Sequence, residues 1–129
     1  MTTPKTLTHE SITSYLQGFY GSDVIYKHAL RKKLLYTQGI KAFAEYAHAY
    51  WFIDLVAMYY PSIKGKNIMH DDTFNIIYLN VTDNKATFEV KHDSNMPAFL
   101  SQDIMFTDLP QGQYKFYLCD DVLMLPSEY

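Results

Sequence analysis

Thr73-Phe-Asn-Ile-Ile-Tyr-Leu-Asn-Val81, followed by Thr82-Asp83-Asn84 and Lys85-Ala-Thr-Phe-Glu-Val-Lys91, is the stretch that decides the fold. Its first part is rich in β-branched and aromatic residues, which pack well on a pleated surface. Its middle is turn chemistry, because Asp and Asn tolerate the left-handed region. Its last part alternates. Ala86, Phe88 and Val90 fall on one face, and Thr87, Glu89 and Lys91 on the other. That pattern predicts a β-hairpin with one dry face.

More strands are expected downstream. His92 to Pro97 is a polar loop, Gln102 to Thr107 is a candidate strand, and Asp108-Leu-Pro-Gln-Gly112 is a turn. Gln113 to Cys119 alternates again, with Tyr114, Phe116 and Leu118 on one side. Asp120-Asp121 suits a tight turn into a last strand, Val122 to Leu125.

The upstream half is expected to hold two helices. Thr8 is a good N-cap, and Ile12, Tyr15, Leu16 and Phe19 follow helical spacing. Gly21 is a plausible stop. Ser22 to Tyr36 reads as extended or irregular. Thr37 then caps a second helix running to about Tyr60, with Pro61 as its stop and 62–72 as a connecting loop. Helices first and strands afterwards predict an α+β fold. The expectation is two N-terminal helices on one face of a four- to five-stranded antiparallel β-meander, a single domain over residues 1–129.

Asp54 is the conspicuous residue of the second helix. On a wheel running unbroken from Ala42, it falls opposite Lys41, Glu45 and His48, among Phe43, Ala47, Tyr50 and Ala57. It is therefore expected between helix and sheet or looking into a cleft; the alternative is a helix that is rotated or broken, leaving Asp54 exposed. A buried carboxylate must be paired or hydrogen-bonded. The candidate partners are backbone amides, a Tyr hydroxyl, His28 or Arg31. Asp54, His28, Trp51 and Thr37 are thus expected as structural anchors.

The 129 residues, 48% of them hydrophobic, are enough for one folded core. Charge is unevenly placed within the net −3. Residues 1–41 carry six Lys/Arg against two acids, and residues 42–129 carry five against twelve. This is not the strongly basic balance of a nucleic-acid-binding domain. Lys27, Arg31, Lys32 and Lys33 could touch phosphates, form a solvated basic face or pair with the acidic half. The single cysteine, Cys119, excludes an intrachain disulfide and suits a reduced, cytoplasmic protein. The apolar run 42–60 has membrane-span length but carries Glu45, His48 and Asp54, so no membrane association is expected.

No catalytic or cofactor motif is present: no phosphate-binding glycine loop, no Cys-x-x-Cys and no nucleophile elbow. His70-Asp71-Asp72 has metal-ligand residue types but reads first as a solvated loop, as does His92-Asp93. Asp71, Asp72, Asp120 and Asp121 are candidate partner-binding acids, together with the basic group at 27–33.

Several segments, taken together, resemble a family of small uncharacterised proteins found mostly on plasmids, prophages and other mobile elements. They are Tyr26-x-His28, Leu35-Tyr36-Thr37-x-Gly39 and Ala49-Tyr50-Trp51-x-Ile53-Asp54. They continue with Gln102-x-Ile104, Thr107-Asp108-x-Pro110 and Leu125-Pro-Ser-Glu-Tyr129. Phe52 and Leu109 are conservative departures. The resemblance implies a genetic neighbourhood and no chemistry, and such neighbourhoods often include inhibitors of host defence such as anti-CRISPR proteins. The expected function is non-enzymatic binding and inhibition of a host protein or complex. Two alternatives stand beside it: a small enzyme using Asp54 with His28, and a homo-oligomeric accessory protein, for instance a homodimer.

Overall fold

The computed structural model describes residues 7–21, 24–70 and 73–129. Three helices, α1 (His9–Leu16), α2 (Gln38–Tyr46) and α3 (Tyr50–His70), accompany seven strands. These are β1 (Ile25–Lys27), β2 (Leu35–Thr37), β3 (Phe74–Thr82), β4 (Lys85–Lys91), β5 (Leu100–Ile104), β6 (Gly112–Cys119) and β7 (Val122–Met124). The fold is α+β, as the order of patterns predicts.

All seven strands lie in one sheet, ordered β1-β2-β7-β6-β3-β4-β5. The β3–β4 hairpin forms where expected, and Asp83 and Asn84 take positive φ of 53° and 61°. Asp120 and Asp121 do the same, at 48° and 72°, between β6 and β7. Alternation sends Ile77, Leu79, Phe88, Tyr114, Phe116 and Leu123 to one side, where all are buried. The helices cover that side. Phe43 of α2 lies 5.0 Å from Phe116, and Phe52 of α3 lies 4.3 Å from it, centroid to centroid.

The sheet is not the predicted meander. The strand β6 pairs with β3 rather than with β5, so β3 is central. It suits that place because Ile76, on its other face, is buried as well. The chain reaches β6 by crossing the tip of the β3–β4 hairpin, where the Thr107 amide donates to the Asn84 carbonyl at 2.8 Å. The strands β1 and β2 arise from the segment expected to be extended or irregular. They widen the sheet through a parallel pairing of β2 with β7.

The predicted single helix from Thr37 to Tyr60 is two helices. Thr37 is its N-cap, as expected, accepting from the Ile40 amide. The first helix ends at Tyr46 in a turn that places His48 at φ 54°. The Ala49 amide then reaches back to the Ala44 carbonyl at 2.8 Å, the six-to-one bond of a Schellman ending. Such endings favour glycine, so a histidine there gives no warning. The second helix does not stop at Pro61. It continues to His70, absorbing most of the expected loop. Its far end is pinned by a buried reciprocal amide pair, Asn67 with Asn75 of β3, at 2.8 and 2.9 Å.

The C-terminus closes the structure. The Glu128 carboxylate accepts from the Thr37 hydroxyl at 2.6 Å, the Leu125 amide at 3.0 Å and the Gly39 amide at 3.2 Å. It thus sits at the N-terminus of α2, where the helix dipole favours negative charge. A Cβ on Gly39 would overlap Glu128 and lie 2.7 Å from Leu125 Cδ1. Gly39→Ala should therefore cost about 1–3 kcal/mol. His48→Gly should stabilise by up to about 1 kcal/mol, by removing left-handed strain. Urea denaturation of the two variants beside the parent checks both signs.

Candidate functional site

The loop between β1 and β2 carries His28, Arg31, Lys32 and Lys33, and it docks on the water side of α3. The turn is closed by the Leu34 amide on the Arg31 carbonyl at 2.9 Å and the His28 amide on the Leu34 carbonyl at 3.0 Å. Leu34 plugs it into the core with no exposure. His28 Nδ1 accepts from the amides of Arg31 (2.9 Å) and Leu30 (3.2 Å). Backbone amides can only donate, so the proton of the neutral ring is on Nε2. That nitrogen donates to Asp54 Oδ1 at 2.8 Å.

Asp54 and His28 thus meet, but Asp54 is not buried. The His28 side chain is 11% exposed and the Asp54 side chain 73%. The turn at 47–49 resets the helical phase, so the wheel drawn through it misplaces Tyr50 and Asp54, although Ala57 is buried as expected. The inward stripe of α3 is Phe52, Ile53, Val56, Ala57, Tyr60 and Ile63, and the water stripe is Tyr50, Asp54, Met58, Pro61 and Gly65. Trp51 is half-buried against the core.

Arg31 makes a second stitch. Proline has no amide hydrogen, so Pro61 leaves the Ala57 carbonyl without its intrahelical partner. Arg31 Nε donates to that oxygen at 3.2 Å. Proline within α3 and arginine in the loop are complementary, and neither is informative alone.

Lys27, Arg31, Lys32 and Lys33 enter no ion pair among the described residues. The acids near them are engaged elsewhere. Asp121 Oδ1 accepts from Lys64 at 2.7 Å and from the Tyr60 hydroxyl at 2.6 Å. Burial works to raise the Asp121 carboxyl, but these hydrogen bonds, with the charges of Lys64 and Lys33, outweigh it and hold it below the ordinary value. Burial and the Asp121 hydrogen bond both raise the Tyr60 phenol. Asp120 is exposed in the turn. Asp71 and Asp72 lie outside the described residues.

Two contiguous bays open beside the turn. One, of about 530 Å³, is lined by Leu30, Arg31, Lys32, Lys33, Tyr60, Pro61 and Lys64. The other, of about 500 Å³, adds His28, Asp54, Ala57 and Met58. Leu30 stands between them 92% exposed, and Met58 is 56% exposed. No signal in the sequence marks Leu30 as a surface residue. His92 is buried and stacks on Phe99, and Cys119 is half-buried at the end of β6. Among the described residues no three His, Cys, Asp or Glu are grouped to hold a metal. No described helix is long and apolar enough to cross a membrane.

Residues 10–129 match the Family of unknown function (DUF6876). The chain belongs to that family. No curated protein and no solved structure matches it. The segments that carry the resemblance prove to be fastenings. His28 of the first segment bonds Asp54 of the third, Thr37 and Gly39 of the second bond Glu128 of the last, and Gln102 accepts from the Tyr59 hydroxyl.

His28→Ala should cost about 1–3 kcal/mol, since two loop amides lose their acceptor. It should also speed hydrogen exchange at Leu30 and Arg31. Asp54→Ala, on the wet side of the same bond, should cost at most about 1 kcal/mol. Denaturant melts and amide exchange by NMR would separate the two. The lowered Asp121 carboxyl adds stability above its unfolded value of 3.8, and this is lost as pH falls through the lower folded value. Asp121→Asn should accordingly flatten the loss of stability below about pH 4, measurable as Tm against pH.

Proposed function

We propose that this protein is a small non-enzymatic binding protein that docks on another protein, and that it does so through the face built by the 28–33 turn and α3. The supporting observation is Leu30, an almost fully exposed leucine in a turn held by six hydrogen bonds. An ordered loop that displays an apolar side chain beside cations that enter no ion pair among the described residues suits protein recognition. Exposed leucine and methionine beside an arginine resemble the core of a contact surface rather than its rim. Both ring nitrogens of His28 are committed, which weighs against the pair acting as a general base.

The resemblance to proteins of plasmids, prophages and mobile elements supplies a setting for this reading. There the partner would be a host protein or complex, and docking would inhibit host defence in the manner of an anti-CRISPR protein. Partner binding through the candidate acids of the turns is less well supported. Asp121 is already held by Lys64 and Tyr60.

A photo-crosslinking residue placed at position 30 should capture a discrete host protein from host-cell lysate. The same residue at position 95, in the exposed turn after β4, should not. Equal labelling from both positions, or none from position 30 with a folded bait, would count against the assignment. Crosslinks only to further copies of the chain would favour a homo-oligomer, which light scattering would verify.

A further inference from the structure

We infer that the occupant of this face is an acidic protein segment, carrying carboxylates with an apolar side chain between them. The inference rests on the reading that the 28–33 face binds protein, and it adds the chemistry of the partner. Three features carry it.

The first is the way Arg31 is held. Its Nε–H is spent on the Ala57 carbonyl that Pro61 leaves open. A guanidinium has five N–H donors in a rigid planar fork. Anchoring the inner one leaves the terminal nitrogens as a fixed pair for a carboxylate, which is the geometry of a bidentate contact. Little side-chain freedom remains to be lost on binding.

The second is the charge around it. Arg31, Lys32, Lys33 and Lys64 line one bay. Among the described residues, only Lys64 of these four is matched by an acid, Asp121 at 2.7 Å. Lys33 interacts with the same Asp121 only through its charge, so Arg31 and Lys32 remain without an acidic partner among the described residues, and Lys27 is close by in the strand leading to the turn. A partner bearing negative charge completes this field, and complementarity of this kind speeds encounter and fixes register.

The third feature separates an acidic protein from a nucleic acid. Leu30 and Met58 are exposed in the second bay, where they would gain from apolar contact. The bases of a nucleic acid need flat aromatic faces to stack on. Of the rings lining the bays, Tyr60 is 5% exposed with its hydroxyl held by Asp121, and the His28 side chain is 11% exposed with both nitrogens bonded, so neither offers a free face. Asp54 stands 73% exposed beside Met58 and would repel a continuous phosphate backbone. A peptide with spaced carboxylates can avoid it.

The test is selection of a displayed library of random peptides, about a dozen residues long, on the whole folded protein. Enriched peptides should carry Asp or Glu flanking Leu, Ile or Phe. On binding they should shift the NMR signals of Leu30, Arg31 and Met58. Lys32→Glu combined with Lys33→Glu breaks no hydrogen bond or ion pair among the described residues and should weaken binding about tenfold or more. Arg31→Ala should weaken it about tenfold, and Leu30→Ala several-fold. A single-stranded oligonucleotide, measured in parallel by fluorescence anisotropy, should bind more weakly than the best peptide. Enrichment of neutral or basic peptides, affinity unchanged by the double charge reversal, shifts elsewhere on the surface, or tighter binding of the oligonucleotide would each overturn the inference. Should position 30 crosslink a host protein while no acidic peptide is enriched, the partner chemistry fails and protein binding stands. If acidic peptides bind but position 30 captures nothing, the surface is right and the proposed role is wrong.

Discussion

The carboxylate of Glu128 at the start of α2 is the contact on which the arrangement of this protein depends. One side chain receives the Thr37 hydroxyl and the amides of Gly39 and Leu125. It therefore binds the end of β2, the beginning of α2 and the chain leaving β7 into a single corner. The parallel pairing of β2 with β7 spans only Leu35 with Val122 and Tyr36 with Leu123. So short a pairing contributes little by itself. Held at its end by a carboxylate on a helix N-terminus, it becomes a fixed extension of the sheet.

The candidate face follows from that corner. With β2 in place, β1 pairs beside it and the connecting turn is carried out over α3. There two stitches hold it: His28 to Asp54, and Arg31 to the carbonyl opposite Pro61. Leu34 fills the core beneath. Asp54 acts here as an acceptor at the protein surface, securing a ring that itself organises two loop amides. A charge that looks costly in an apolar helix is solvated on one side and bonded on the other, so little desolvation opposes it.

Much of the hydrogen bonding serves the joins between segments distant in sequence. The Asn67–Asn75 amide pair fastens α3 to β3, and Tyr60 and Lys64 hold the β6–β7 turn through Asp121. Tyr114, its phenol pushed up to about 12 by burial, donates to the Pro110 carbonyl and steadies the crossover into β6. The tyrosines thus work largely at core margins, where an apolar ring and a polar tip are both satisfied. The open face of the sheet keeps a smaller aromatic group, in which Phe74, Tyr117 and Tyr129 meet at 4.9–5.4 Å.

Local chemistry alone determined what depends on neighbours in the chain. The caps at Thr8 and Thr37, the left-handed turns at Asp83-Asn84 and Asp120-Asp121, and the alternating strands 85–91 and 113–119 are set by residues a few positions apart. The α+β class follows from their order. What the sequence did not disclose depends on contacts between distant segments, or on residues in unusual places. A histidine ends α2 where a glycine would have announced the break, and one unseen turn moved Asp54 from the core to the surface. Pro61 lies inside a helix because packing over the following turns and a distant arginine offset its missing hydrogen bond. The place of β6 beside β3, and of β1 and β2 at the sheet's edge, was decided by pairing across long separations, which no local pattern records. The exposed face around Leu30 belongs to that second group, because it exists only where three separate segments come together.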